Sequence, residues 1–365
     1  MFFLVLVSCS RKNGDDTSII YIDLDASFAK NISFNELFDE VCLIPLETLD
    51  ESLITHVTRA IFHEDAFYIF DRMQKSVFVF DESGKFRYKI SNIGRGPGEY
   101  LEIEDITINH SLNTIDLLSP WGVIFRYSIW DGSFSESLNI TDGIRAVHQL
   151  IYFGTDMVMF FQHYEKNKLR SYDTEKNKTI NELYDLPVFT RMLPQTNYPF
   201  LYVLNDTLHF FHSYGNSIYY LIEEKITPKY TWNFGKYNFN PMDLNRNRDQ
   251  EYYSKYLNDK SIAWYFFSAM ETDNLVITGF SFQGLGVSLV YKKSSGEYYV
   301  LNEFSEGILF PLYPFTAGNN IFTLCMPDRI DFFIKDWMLH EKCREKVLQI
   351  QTFDNPVVLM YKPKI

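Results

Sequence analysis

Ile93-Gly94-Arg95-Gly96-Pro97-Gly98-Glu99-Tyr100 is the stretch that decides how this chain folds. Three glycines and a proline within five positions exclude a helix or a strand interior, because glycine enters positive φ freely and proline fixes φ near its turn value. Strand-like runs flank it, Phe86 to Ile90 before and Ile103 to Ile108 after, so the stretch is a tight connection between strands. Arg95 and Glu99 bracket the turn, and its successive N–H groups could form a concave nest for an anion. No Gly-Lys-Ser/Thr follows and no helix opens after it, which excludes a P-loop. The turn reads first as a connector between repeated units.

Used as a ruler, it exposes the repeat. Ala66 to Asp71 and then Val77 to Phe86 form one strand–turn–strand unit, and Thr114 to Leu118 with Ile124 to Phe134 form the next. Looser copies begin at Met157, Leu208, Leu275 and Ile321. Second strands starting at 67, 114, 157, 208, 275 and 321 are spaced by 47, 43, 51, 67 and 46 residues. Four strands per ~40–50 residues is the period of a β-propeller. The long interval holds Pro241 to Leu257, which lacks β alternation and reads as a helical insertion near 241–258. A second helical piece is expected near 336–351, where Trp337, Leu339, Cys343, Val347 and Ile350 recur at helical spacing.

The sixth unit is one strand short, since its partner run is Pro356 to Lys362. A spare strand, Glu40-Val-Cys-Leu-Ile-Pro-Leu-Glu47, lies ahead of the first unit and can close the ring, removing the free edge of an open propeller. The expected architecture is all-β: a six-bladed β-propeller over residues 40–365 closed by an N-terminal strand, with short helical insertions. Residues 1–8 then form a signal peptide and 9–39 a tether and lead-in.

The Ile-Gly-Arg-Gly-Pro-Gly-Glu-Tyr run after a Phe-Asp-x-x-Gly-Lys-Phe turn resembles the six-bladed β-propeller lipoproteins of Bacteroides-type gut anaerobes, whose blades resemble those of NHL-repeat propellers. Ile44-Pro-Leu-Glu-Thr48 and Asn355-Pro-Val-Val-Leu-Met-Tyr-Lys362 fit the same family, and the resemblance covers residues 20 to 365. It implies a lipid-anchored envelope protein, most members of the family having no assigned activity. It also implies that Asp15-Asp16, soon after Cys9, belong to a tether favouring the cell surface.

The N-terminus is read on its own residues as well. Leu6-Val7-Ser8-Cys9 ends a short apolar run and resembles a bacterial lipobox, which makes Cys9 the expected lipidation site and the outer membrane the expected location. No run of ~20 apolar residues exists to span a membrane as a helix. Cys42, Cys325 and Cys343 show no metal-ligand spacing and are expected to be free buried thiols. Cys42 and Cys325 should be kept apart by an intervening strand. The 365 residues carry 47 acids against 34 bases, a net charge of -13 without a basic stripe, which argues against nucleic acid as a partner.

No catalytic signature stands out. Gly279-Phe-Ser-Phe-Gln-Gly284 has the wrong glycine spacing for a nucleophile elbow, and eight scattered histidines offer no zinc motif. No metal and no cofactor are expected. In a propeller, second-to-third-strand turns and blade-to-blade turns share one face. That face should carry the candidate ligand residues Arg72, Arg95, Glu99, Trp121, His163, His212 and Tyr214, with Arg95 and Trp121 leading as carboxylate fork and stacking surface. Arg59, Glu104, Asp105, His148 and Gln149 are polar groups on innermost strands and read as channel fillers. The expected function is a non-catalytic module binding a glycan or a protein. The alternative is a propeller-type polysaccharide lyase or glycoside hydrolase acting at the channel mouth, which rests on fold analogy.

Overall fold

The structure is a computed structural model that describes residues 18–28, 30–140, 147–154, 156–161, 167–185, 200–222, 225–240 and 262–364. The insertion expected near 241–258, the proposed lipobox and His163 lie outside the described residues.

Two strands precede the ring, β1 (Ser18–Tyr21) and β2 (Phe38–Pro45), with a short helix α1 (Leu24–Phe28) between them. Blade 1 is β3 (Arg59–His63), β4 (Ala66–Asp71), β5 (Ser76–Asp81) and β6 (Phe86–Ile90). Blade 2 is β7 (Asp105–Asn109), β8 (Thr114–Leu118), β9 (Val123–Ser128) and β10 (Phe134–Asn139). Blade 3 follows as β11 (Val147–Phe153), β12 (Asp156–Phe161), β13 (Asn167–Asp173) and β14 (Lys178–Asp185). Blade 4 is β15 (Leu201–Leu204), β16 (Thr207–Phe211), β17 (Ser217–Ile222) and β18 (Lys225–Asn233). Blade 5 is β19 (Ala263–Glu271), β20 (Leu275–Phe282), β21 (Leu285–Lys292) and β22 (Tyr298–Leu301). Blade 6 holds β23 (Phe315–Ala317), β24 (Asn320–Cys325) and β25 (Val357–Pro363). The second strands start at 66, 114, 156, 207, 275 and 320, within one residue of the sequence ruler.

Blade 1 explains why the pattern was readable. Every residue of β4 (AFYIFD) is buried, and β5 (SVFVFD) is buried up to its last residue, because the middle strands are covered by neighbouring blades on both faces. A continuous apolar run is the sequence form of such a strand. The outermost strand β6 (FRYKI) alternates because one face meets solvent. In the Phe-Asp-x-x-Gly-Lys-Phe turn the Asp81 carboxylate accepts the N–H groups of Ser83 and Lys85 at 2.9 and 3.0 Å. Gly84 sits at φ +91°, where a side chain would be strained.

The ring closes as the sequence requires. β2 pairs antiparallel with β25 from Phe38 opposite Pro363 to Pro45 opposite Val357, which supplies the fourth strand of blade 6. Val41 and Leu43 are fully buried there with Leu359 and Tyr361. The Gly84 turn of blade 1 packs on Pro45 of β2, as the Gly132 turn of blade 2 packs on Tyr88 and Ile90 of β6. The closing strand thus takes the same place beside its neighbour as an ordinary fourth strand.

Three details depart from the expectations. Residues 9–39 are not all lead-in, since β1 adds a fifth strand to blade 4 by pairing parallel with β18. The helical piece near 336–351 is a 3₁₀ turn, Asp336–Met338, followed by α2 (Glu341–Val347). The expectation of free thiols is corrected for two cysteines. Cys42 on β2 is disulfide-bonded to Cys343 on α2, with 5.8 Å between their Cα atoms and a sequence separation of 301. Helix α2 folds back onto β2, through His340 N–H donating to Val41 O at 2.9 Å, and brings the two sulfurs together. Cys325 on β24 is separated from Cys42 by β25 and keeps a free, buried thiol, pushed up to about 12 by burial.

Candidate functional site

The 93–100 turn fills its own nest. The Glu99 carboxylate accepts the Gly96 N–H at 2.7 Å, Gly94 N–H donates to Tyr100 O at 3.0 Å, and Tyr100 N–H donates to Asn92 O at 2.9 Å. A Cβ at Gly94 would land on the Glu99 carboxylate, which is why glycine stands there. From outside, Tyr127 Oη donates to Gly98 O at 2.6 Å, and the turn's own Tyr100 Oη donates to Lys75 O at 2.9 Å, so the turn rivets blade 1 to blade 2. Gly98 is at φ +74°, and a Cβ would lie 2.6 Å from the Phe134 ring. Gly98→Ala should therefore cost about 2 kcal/mol from backbone strain, read as an earlier urea midpoint. Glu99→Ala should cost about 1 kcal/mol, the worth of one satisfied amide.

The channel at the ring's centre is open at one end and shut at the other. At the shut end the polar residues of the first strands meet as a belt. Arg59 pairs with Asp105 at 2.5 Å, and Glu104 takes Arg72 at 2.5 Å and His148 Nδ1 at 2.9 Å. Asp105 also accepts the Leu150 N–H at 3.1 Å, and Gln149 Oε1 accepts the Phe200 N–H at 2.6 Å. Asp105, His148 and Gln149 are 5% exposed or less, and the belt leaves a void of about 10 Å³, room for one water.

At the other end, where first strands turn into second strands, the channel widens into a cup of about 1180 Å³. Phe62, Tyr202 and Phe315 lie in its wall, each backed by another ring: Phe62 and Phe315 on Phe322, Tyr202 flat on His209 at 4.9 Å. His63 and His110 meet edge to face at 4.7 Å on the rim, and burial together with the second imidazole lowers the His63 pKa. Sequence reasoning passed over both, although they stand one blade interval apart, which was the signal available.

Two buried polar networks brace this wall. Between blades 2 and 3, Asp116 accepts from Thr114 at 2.6 Å, from Arg126 at 3.1 Å and from Tyr152 at 2.5 Å. Between blades 4 and 5, Glu271 receives Tyr202 at 2.8 Å, Lys229 at 3.0 Å and Lys293 at 2.7 Å. His209 beside it accepts from Lys229 at Nε2 at 2.8 Å, with Nδ1 3.0 Å from Thr207 O, so the imidazole is held neutral with its proton on Nδ1. Burial, and then the nearby lysines, lower the His209 pKa to about 4 despite the adjacent Glu271. Burial pushes the Glu271 carboxyl upward, but the surrounding cationic groups outweigh it and hold its pKa low.

The sign of the pH effect follows. Unfolded His209 protonates near 6.5, whereas folded His209 does not until about 4, so stability is lost as pH falls between those values. At pH 5 the loss should be about 2 kcal/mol relative to pH 7.5, and in His209→Gln the urea midpoint should change less over this range.

Residues 19–362 match the family described as a domain of unknown function, DUF4934. The chain belongs to that family. Among solved structures the DUF4934 chain is similar to a protein of Bacteroides fragilis described as exported, at 16% identity and a TM-score of 0.77, covering 95% of this chain and 100% of the other. It is also similar to a DUF4221 family member from Bacteroides vulgatus, at 11% identity and a TM-score of 0.54, covering 89% and 98%. At such identities these likenesses speak for the six-bladed fold. No curated protein matches the chain.

Within this DUF4934 propeller the candidate residues read from sequence are spread out. Arg95 and Glu99 are exposed on the turn between blades 1 and 2, and Trp121 is 58% exposed on the β8–β9 turn. Arg72 borders the shut end of the channel through Glu104. His212 and Tyr214 are buried in the β16–β17 connection, where His212 Nδ1 accepts the Tyr214 N–H at 3.1 Å and Tyr214 packs with Trp264. None of these six described residues lines the cup, and His163 lies outside the described residues. Gly279, from the apparent elbow, lies inside β20, where a Cβ would collide with Ser268 and Phe267. Among the described residues no three His, Cys, Asp or Glu side chains are grouped to hold a metal.

Proposed function

We propose that this protein is an exported binding module, held at the bacterial envelope by an acylated Cys9, with its ligand site in the channel cup. The observation that carries the reading is the cup itself: a concavity whose wall is braced by two buried carboxylates, Asp116 and Glu271, each engaged by three side-chain donors. A ring-lined concavity with a few polar groups in its wall suits a small-molecule ligand. Export is supported by the Cys42–Cys343 disulfide, since such bonds persist in oxidising compartments. The Bacteroides fragilis protein of like fold is likewise described as exported.

A second reading concerns a protein partner. Met73, Trp121, Leu348 and Phe353, between 58% and 92% exposed, lie on connections between second and third strands, at the shut end of the channel. Gathered into one patch, such exposed apolar groups would offer a protein partner a surface. That end also carries Arg95.

The test has two arms. Detergent partitioning should move the wild type into the detergent phase and leave Cys9→Ala aqueous, since stable anchoring takes two or more acyl chains. Incubation with a glycan panel should give binding without product. Release of shortened sugars by the purified protein, lost on substitution in the cup, would replace the binding module with a lyase or hydrolase.

A further inference from the structure

We infer that the cup takes the end of an uncharged glycan and discriminates against acidic ones. The inference rests on the cup being the ligand site, and its ground is the charge balance of the wall. Among the described residues, each lysine or arginine lining the cup already faces a carboxylate of the protein. Arg59 is paired with Asp105 at 2.5 Å, Arg126 with Asp116 at 3.1 Å and Glu136 at 2.7 Å, and Lys176 with Asp173 at 2.6 Å. Glu175 and Asp206 add acidic groups to the lining, and among the described residues no further lysine or arginine lines it to match them. A uronate or sulfate entering the cup would have to break an existing ion pair or sit beside surplus negative charge. The chain's net charge of -13 opposes its approach as well.

An uncharged sugar meets none of these costs. Its C–H faces can lie on Phe62, Tyr202 and Phe315, whose rings are fixed in place by the rings behind them. Its hydroxyls can exchange hydrogen bonds with His63, His110 and Thr316 around the wall. The network around Glu271 holds Tyr202 in position before binding, which lowers its ordering cost.

The geometry also favours a sugar over an extended peptide. The inner strands stand around one axis, so their open edges point at the channel from six directions. A peptide adding itself as a strand satisfies one such edge. A pyranose ring carries hydroxyls around its whole perimeter and can engage several edges together.

The experiment is calorimetric titration of the full-length protein in detergent. The neutral probes are cellohexaose, xylohexaose and mannohexaose, the acidic probes are hexagalacturonate and a heparin hexasaccharide, and a pooled dodecapeptide library is run beside them. Val203 (40% exposed, on β15) and Leu112 (50% exposed, on the β7–β8 turn) both line the cup and leave the core untouched when enlarged. The expected result is a neutral hexamer bound at least ~10-fold more tightly than either acidic probe. Val203→Trp and Leu112→Trp should each weaken it at least ~10-fold with unchanged unfolding midpoints, and Trp121→Ala should leave it intact. An acidic probe bound more tightly, yet blocked by both tryptophans, overturns the charge inference and keeps the cup. Neutral binding insensitive to both tryptophans overturns the cup as well. Binding of peptide alone, or of no neutral hexamer, overturns the glycan.

Discussion

Leu43→Ala is expected to lower the unfolding free energy by about 3 kcal/mol, the usual cost of emptying a fully buried leucine site. Leu43 lies directly opposite Leu359 in the β2–β25 pair, inside the largest core cluster of blade 6. Leu359→Ala should cost a similar amount. The double variant should fall short of additivity by at least ~0.5 kcal/mol, because the two side chains share one site. Equilibrium urea unfolding measures all three. A Leu43→Ala effect below ~0.5 kcal/mol would mean that β2 is an attached arm and that blade 6 stands with three strands.

The Cys42–Cys343 bond should contribute more. It joins residues 301 apart, and loop-closure entropy for so long a loop sets its stabilisation at about 5 kcal/mol. It ties the closing strand to α2, so the ring is fastened both by strand pairing and by a covalent link. Cys343→Ala should shift the guanidinium unfolding midpoint strongly downward, and dithiothreitol should bring the wild type close to the variant while leaving the variant unchanged. Equal midpoints for oxidised wild type and Cys343→Ala would contradict the fastening role.

Much of the fold was legible because its signals are local. The Gly94–Gly98 turn, the Asp81–Gly84 turn and the unbroken apolar runs of β4 and β5 each specify backbone conformation within a few residues. Closure was legible because blade 6 lacked a strand and Glu40 to Glu47 was spare. The disulfide was not, because the contact between α2 and β2 depends on how a long connection folds back, and nothing in the cysteine spacing encodes it. β1 was missed because four residues in a polar lead-in carry little pattern. The belt of Arg59, Asp105, Glu104 and His148 was foreseen as channel filling, since charges on otherwise apolar strands need partners. The cup was harder to read. Its wall draws one or two residues from each first strand, and the sequence does not say which end of the channel those strands leave open. The same turn that exposes the period also drew attention to Arg95 and Glu99, yet Glu99 is spent on the turn's own amide.

Hydrogen–deuterium exchange with and without a bound neutral oligosaccharide tests the central claim most directly, because it reports where on the ring the ligand sits. The account predicts slowed exchange in peptides covering the cup's turns, 63–66, 109–114 and 204–207, with 91–101 and 119–123 unchanged. Protection of 91–101 and 119–123 with no change at the cup's turns would contradict it and place the ligand on the opposite face.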